Sequence, residues 1–257
     1  MAAIEAMWET QPAPAGLALI AFPNEAEQKN DFEIEIPYLM GLIGTRSLDT
    51  QIIGIKDIRA ATRIRVENGV KAVIALEAMR KNPNDLQAKA TFAQNEKDMG
   101  YGLLVKRYAS DLKQATPAML DQAAHDTVPK VAPMFWSFRI MVFLGFSFLA
   151  IFLAAFWLSA KDRMTHHRGF LKLCLLWLPM PWIAIMVGWV VAEYGRQPWT
   201  VFGILPTHLS ASNNSVETVL ATLVGFVVFY TGLLIVEMYL MVKYARLGPS
   251  VLTDSVH

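Results

Sequence analysis

Three long runs without a charged side chain most constrain how this chain can fold. They cover residues 140–160, 173–192 and 218–236. A membrane-spanning helix needs roughly 20 mostly apolar residues, and each run has about that length. Because hydrocarbon satisfies no backbone hydrogen bond, such runs fold as helices when they cross a bilayer. The sequence therefore predicts an all-α integral membrane protein with three spans at about residues 132–160, 170–193 and 216–243.

Most charged residues lie before the first span. The whole chain is 54% hydrophobic and only 18% charged, below the roughly 25% typical of soluble domains. A net charge of +1 gives no sign of a nucleic-acid partner. We therefore predict two domains, a mostly helical extramembrane region at residues 1–130 and a transmembrane region at residues 131–257.

Local patterns within residues 1–130 predict short strands followed by helices. Residues 17–22 and 32–37 have the composition and alternation of extended segments. Helical patterns run from Lys56 to about Lys81, from Leu86 to about Tyr108 and over residues 118–126. We expect the second of these helices to be interrupted near its two glycines, Gly100 and Gly102.

Basic residues outside the spans predict the orientation of the chain. The loop between the first two runs and the tail after the third hold Lys161, Arg163, Arg168, Lys172, Lys243 and Arg246. The loop between the second and third runs holds only Arg196. The positive-inside rule then places the first loop and the C-terminus in the cytoplasm, and residues 1–130 in the periplasm.

The first residues raise the question of how residues 1–130 are exported. Residues 1–5 (MAAIE) have no basic start followed by an apolar core, so they do not form a signal peptide. We therefore expect this chain to be the C-terminal part of a longer protein whose preceding part carries further spans.

A carboxylate, a guanidinium and two tryptophans close the second run. Trp189 and Glu193 are four residues apart and share a face on a helix. Charge near membrane depth is costly and often functional, although helix ends tolerate it. In the functional interpretation, Glu193 is an oxygen ligand of a metal or a proton carrier, and Trp189 packs against a flat cofactor. In the structural interpretation, Glu193 only ends the helix at the membrane interface, paired with Arg196. Residues 197–199 are predicted to form a turn that places Trp199 at the membrane interface.

Three further residues have both an ordinary and a functional interpretation. Met141 lies in an apolar helix, where methionine is usually core filler. Arg139 could extend its charged head to the membrane interface. Glu5, taken from the sequence alone, is a solvated acid near the N-terminus.

Several separated segments resemble subunit I of the cytochrome bd ubiquinol oxidases. The most specific is residues 195–199 (GRQPW), preceded by Trp189 and Glu193 and followed by residues 205–207 (LPT). The others are residues 2–14, 129–142 and 244–250. The resemblance covers nearly the whole chain but only the C-terminal part of subunit I, including most of the long quinol-binding loop.

The resemblance implies specific roles for five residues of the transmembrane region. Met141 would be a ligand of the low-spin haem b iron, and Glu193 a ligand of the high-spin haem iron. Arg139, Trp189 and Arg196 would bind the cofactors. A guanidinium suits this role because it matches a haem propionate, or the Glu193 carboxylate, in a fork of hydrogen bonds.

The resemblance also implies the activity of the complete enzyme. It would oxidise ubiquinol, with Glu5 taking part as the acid–base group, and would reduce dioxygen to water. Its cofactors would be a low-spin haem b, a high-spin haem b and haem d. Its partners would be the missing N-terminal part of subunit I, subunit II, the lipid bilayer of the bacterial inner membrane and, in addition, a small accessory subunit.

Two other functions compete with the oxidase interpretation. The chain could be a non-enzymatic membrane scaffold subunit with a periplasmic domain, in which the charged residues only set topology. It could also be a fragment of a transporter. If it is an oxidase fragment, we expect it to be inactive on its own.

Overall fold

A computed structural model describes residues 1–247 of the chain, apart from the side chain of Thr165. The chain divides into two units, residues 1–210 and the residues from 211 onward. The predicted cytoplasmic C-terminus, and residues 248–250 of the last family-like segment, lie outside the described residues.

The first unit begins with an irregular segment, residues 1–16, and a β-hairpin. β1 (Leu17–Asn24) and β2 (Lys29–Ile36) pair antiparallel, with Leu17 opposite Ile36. Two register shifts interrupt the ladder. Both predicted extended segments are thus confirmed, and each strand continues beyond the bounds that the alternation alone indicated.

Four helices follow the hairpin in the extramembrane region. They are α1 (Ile55–Lys81), α2 (Leu86–Asn95), α3 (Met99–Leu104) and α4 (Pro117–His125). Asp85 caps α2, because its side chain accepts a hydrogen bond from the backbone N–H of Ala88 at 3.0 Å. Thr116 caps α4 in the same way. Short polar side chains at these positions satisfy backbone donors that the first helical turn leaves unpaired.

The break in the second predicted helix lies before the glycines rather than at them. A 3₁₀ turn at Glu96–Asp98 separates α2 from α3, whereas Gly100 and Gly102 lie inside α3. A Cβ atom on Gly102 would lie 2.2 Å from the backbone of Gly69 in α1. The predicted interruption near the glycines is thus confirmed, directly before Gly100. Close backbone packing of α3 on α1 offsets the poor helix propensity of the two glycines.

Three helical segments are long and apolar enough to cross a membrane. α5 covers Val131–Ala160, α6 (Arg168–Trp177) and α7 (Met180–Trp189) form the second segment, and α8 covers Val216–Leu247 in the second unit. The second segment is broken at Pro179, because a proline ring cannot continue a helix without losing a backbone hydrogen bond. It continues past α7 as a π-helical turn, called here the π-turn (Val190–Tyr194). The predicted all-α membrane fold with three spans is therefore confirmed.

Two clusters of buried side chains hold the first unit together. The N-terminal cluster joins the irregular segment and the hairpin to the start of α5, through Ala2, Ala3, Ala6, Met7, Trp8, Ala15, Ala18, Ala21, Met40, Ile52, Ile55, Val131 and Phe135. The loop cluster is formed by Val66, Val70, Val73, Tyr101, Leu104, Val105, Leu112, Ala123, Ala124 and Trp199. The extramembrane region therefore shares its first core with a spanning helix.

Trp199 lies in the loop cluster and not at an interface. It begins a short ribbon of β3 (Trp199–Val201) and β4 (Leu205–Pro206), and its side chain is only 1% exposed. Its ring lies edge-on to Tyr101, with centroids 5.0 Å apart. Burial raises the pKa of the Tyr101 phenol, so this ring stays neutral inside the cluster. The interfacial placement predicted for Trp199 was wrong because the ribbon folds back onto α3.

Candidate functional site

The least exposed ion pair among the described residues joins Arg139 of α5 to Glu5. Nη2 of Arg139 lies 2.5 Å from Oε2 of Glu5, and the two side chains are 12% and 9% exposed. The same guanidinium donates to the backbone carbonyl oxygens of Ala18 and Leu19 in β1 at 2.5–3.3 Å. It also lies over the ring of Phe135, 4.5 Å from the centroid. The irregular segment, β1 and α5 therefore meet at one guanidinium.

Glu5 also borders a cleft of about 180 Å³ between the irregular segment and the hairpin. Trp8 donates its indole N–H to Oδ1 of Asn30 at 3.0 Å, and Nδ2 of Asn30 donates to the carbonyl oxygen of Ala6 at 3.1 Å. Ala6 has a φ of 52°, a left-handed conformation that costs a residue with a Cβ about 1 kcal/mol or more. The Asn30 amide therefore secures the strained turn beside Glu5. A carboxylate in this position can accept a hydrogen bond or a proton from a hydroxyl group in the cleft.

Met141 lies in the interface between α5 and α7. Its Sδ atom is 3.3 Å from the position that a Cβ on Gly188 would take. The missing side chain at Gly188 thus leaves room for the thioether, and Met141 is half-buried. A thioether in an apolar interface suits either an axial haem ligand or core packing. The ligand role of Met141 therefore stays a prediction.

Glu193 and Arg196 form an ion pair at the end of the second span. Nη2 of Arg196 lies 3.3 Å from Oε1 of Glu193, and the two side chains are about half exposed. Glu193 belongs to the π-turn, a departure from α-helical geometry that is frequent at functional sites. Trp189, the last residue of α7, is 66% exposed. The pairing of Glu193 is thus present in the structure, and its role as an iron ligand stays a prediction.

An apolar cleft of about 490 Å³ adjoins the π-turn. Its lining includes Met134 of α5, Val191 of the π-turn, Phe202 and Arg196, which contributes the single charged side chain among the described lining residues. The cleft offers apolar walls and a guanidinium that can pair with a carboxylate. Its described lining includes neither Met141 nor Glu193.

The donor groups also fit a haem better than a metal ion bound by side chains alone. Within residues 1–247, no three His, Cys, Asp or Glu side chains lie together as a metal-binding group. A haem iron needs only axial ligands from the protein, because the porphyrin supplies the other donors. Single donors such as the Met141 thioether and the Glu193 carboxylate are therefore compatible with haem.

The structure pairs two predicted residues that the sequence treated separately. Sequence reasoning connected Arg139 with a cofactor and Glu5 with quinol, and it missed the ion pair between them. The two residues are 134 positions apart, so no local pattern could have indicated the contact. Asn30 was also missed, since an amide in a hairpin usually indicates only turn structure.

Comparisons with known proteins agree with the sequence motifs. The family model of cytochrome bd terminal oxidase subunit I matches residues 1–249. The chain is 40% identical over 250 residues to cytochrome bd-II ubiquinol oxidase subunit 1 of Escherichia coli strain K12, an alignment covering 97% of this chain and 49% of the relative. It is 24% identical over 249 residues to cytochrome bd ubiquinol oxidase subunit 1 of Bacillus subtilis strain 168, covering 96% of this chain and 41% of the relative.

The extent of these matches is sufficient to decide the family. The chain spans about half the length of the curated relatives it matches. The family model nevertheless covers nearly all of its residues, and the predicted resemblance is confirmed. The chain belongs to the cytochrome bd terminal oxidase subunit I family.

Proposed function

We propose that this chain is part of a terminal respiratory oxidase that oxidises ubiquinol and reduces dioxygen to water. Family membership and three apolar helices support this proposal, as does a relative named as a ubiquinol oxidase subunit. One observation of the structure carries it further. The buried acid of the extramembrane region, Glu5, is bonded to Arg139 of α5, two residues before the Met141 thioether.

Ubiquinol oxidation is assigned to the cleft beside Glu5. A quinol that loses two electrons also loses two protons, so its site needs a proton acceptor. Glu5 is the buried carboxylate at this cleft, where it pairs with Arg139, whereas Glu9, which pairs with Lys56, is largely exposed. In the proposed role, Glu5 accepts a hydrogen bond from one quinol hydroxyl and takes its proton.

Haem binding is assigned to the residues that resemble the family's ligands. Met141 would hold the iron of a low-spin haem b, and Glu193 the iron of a high-spin haem. Arg139, Trp189 and Arg196 would bind the cofactors, with Arg196 at the edge of the apolar cleft. Bound low-spin haem b, high-spin haem b and haem d would supply electron transfer and oxygen reduction.

The proposed assembly extends beyond this chain. It would include an N-terminal part of subunit I, which supplies the remaining haem ligands, together with subunit II and a small accessory subunit. The assembly would lie in the bacterial inner membrane, with residues 1–130 in the periplasm and the C-terminus in the cytoplasm. The proposed orientation across the membrane rests on the distribution of basic residues outside the spans.

Substitution of the two proposed iron ligands tests this function. In the assembled oxidase that contains this chain, we expect Met141→Leu to abolish the low-spin haem b band, because leucine removes the sulfur but keeps an apolar side chain. We expect Glu193→Gln to change the high-spin haem spectrum, since an amide is a weaker ligand than a carboxylate. The measurement is the reduced-minus-oxidised absorbance spectrum, combined with ubiquinol-dependent oxygen uptake.

Two substitutions of the same type, at residues that have no assigned role, provide the controls. Met186→Leu changes a methionine of α7 that is 68% exposed, and Glu217→Gln changes an acid in the first turn of α8. Both should leave the spectra unchanged. If Met141→Leu and Glu193→Gln also leave every haem band unchanged, the oxidase assignment fails and the membrane scaffold becomes the better explanation.

A further inference from the structure

We infer that Arg139 is a positioning residue of the quinol site, which holds the Glu5 carboxylate in a fixed orientation on the helix that carries Met141. This inference rests on the proposed function, since it assigns Arg139 a role in quinol oxidation. It differs from the role that the family resemblance implies for Arg139, which is contact with a haem. The structural support comes from how the guanidinium is bonded.

The bonds of the Arg139 guanidinium are directed toward the extramembrane region. Nη2 bonds both Oε2 of Glu5 and the carbonyl oxygen of Ala18, each at 2.5 Å. Nε bonds the carbonyl oxygens of Ala18 and Leu19 at 3.2 and 3.3 Å. A planar guanidinium held at two of its nitrogens and packed on Phe135 has little freedom to rotate, so it can fix the group that it binds.

Glu5 itself has few other features that could orient it. It lies in an irregular segment, next to the left-handed residue Ala6, and not within a helix or a strand. Its backbone N–H bonds the carbonyl oxygen of Met1 at 3.2 Å, which fixes the backbone but not the carboxylate. Among the described residues, the side-chain hydrogen bond of Glu5 is the one to Arg139. The orientation of the carboxylate therefore depends on Arg139.

The ion pair also selects which carboxylate oxygen is offered to a ligand. Arg139 occupies Oε2, and within the described part of the chain no hydrogen bond uses Oε1. Glu5 lines the cleft that Trp8 and Asn30 also border. A quinol hydroxyl in that cleft can therefore donate to Oε1 while Oε2 stays bound to Arg139.

The position of Arg139 on α5 gives this arrangement a second consequence. Arg139 precedes Met141 by two residues on one continuous helix, about 3 Å along the axis. The acid of the quinol site and the thioether proposed to bind iron are thus attached to the same rigid element. Arg139 therefore fixes the quinol site relative to the low-spin haem site.

A double-mutant cycle in the assembled oxidase tests the inference. The variants are Glu5→Gln, Arg139→Gln and the double variant, measured as kcat and KM for ubiquinol-1 per mole of low-spin haem. We expect Glu5→Gln to lower kcat/KM about 100-fold, the loss typical of a removed proton acceptor. We expect Arg139→Gln to lower it about 10-fold, mainly through kcat. The double variant should be no worse than Glu5→Gln by more than about 2-fold, because groups that act as a unit are not additive.

Two further variants separate positioning from a general effect on folding. Arg139→Lys keeps the charge but loses the planar fork, so it should recover part of the activity lost in Arg139→Gln. It also keeps the test valid if the Arg139→Gln enzyme does not assemble. Arg65→Gln is the control, because Arg65 forms a different ion pair, with Asp98 at 2.7 Å, next to the loop cluster. It should leave kcat and KM per haem unchanged.

The outcomes distinguish this inference from the proposed function. If Arg139→Gln lowers kcat/KM by the same factor in the Glu5→Gln background as in the wild type, Arg139 does not act through Glu5 and the inference is overturned. The same conclusion follows if Arg139→Gln changes only the midpoint potential of the low-spin haem, equally in both backgrounds. If Glu5→Gln leaves ubiquinol kinetics unchanged, the quinol site assigned under the proposed function fails instead.

Discussion

Because Gly188 has no side chain, the Met141 sulfur can lie close to the backbone of α7. A Cβ at that position would be 3.3 Å from Sδ, which is shorter than the usual separation of two non-bonded atoms by a few tenths of an ångström. A methyl group could be accommodated by a small shift of the flexible thioether. A branched side chain could not, because its additional carbons would extend into the space that the sulfur occupies.

This geometry gives a graded prediction for Gly188. In the assembled oxidase, Gly188→Ala should retain the low-spin haem b band, whereas Gly188→Val should weaken or abolish it by displacing the Met141 sulfur. Reduced-minus-oxidised absorbance is the measurement. Gly145→Val is the matched control on α5, where no described atom lies within 4 Å of an added Cβ. A full-strength band in the Gly188→Val enzyme would contradict the assignment of this sulfur to iron.

Between elements, α3 and α1 pack backbone against backbone at Gly102 and Gly69. Gly102→Ala places a Cβ 2.2 Å from the backbone of Gly69, and two helix backbones cannot shift as a side chain can. We expect it to destabilise this contact by about 1–3 kcal/mol, the usual range for overpacking. Amide hydrogen exchange of α1 and α3 in the whole chain is the measurement, with faster exchange expected in both helices.

Gly232→Ala provides the control for this prediction. No described atom lies within 4 Å of a Cβ added at Gly232 in α8. Alanine is also the better helix former, so this change should leave exchange unchanged or slow it. Unchanged exchange of α1 and α3 in the Gly102→Ala chain would show that the two backbones are not in close contact.

The helices and spans could be predicted because their signals are local. Uncharged runs of residues identified the three spans. Trp199 was misplaced because its burial depends on the ribbon that folds back onto Tyr101, far away in sequence. The bond between Glu5 and Arg139 was missed for the same reason. Hydropathy and turn signals report on neighbours along the chain, whereas these contacts depend on tertiary packing.

On the scale of the whole chain, the spanning helices present most of their apolar surface outward. None of the described residues of α8 is buried, and α5 has buried residues mainly in its first turns. Lipid can cover such surfaces, whereas a low-spin haem with two axial ligands needs protein on both of its faces. This chain supplies one proposed ligand on α5 and one on the π-turn. Under the proposed function, the remaining ligands would come from other parts of the assembly.

We therefore predict that this chain, produced alone in membranes, neither holds three haems nor consumes oxygen with ubiquinol. Each proposed site would have one protein ligand, and the chain spans about half the length of its curated relatives. Haem content by absorbance and oxygen uptake by electrode are the measurements. Production together with an N-terminal part of subunit I and with subunit II should restore both, and the Met141→Leu version should remain without the low-spin band. Three haems and ubiquinol-dependent oxygen uptake in the chain alone would refute the prediction, because they would place every ligand within these 257 residues.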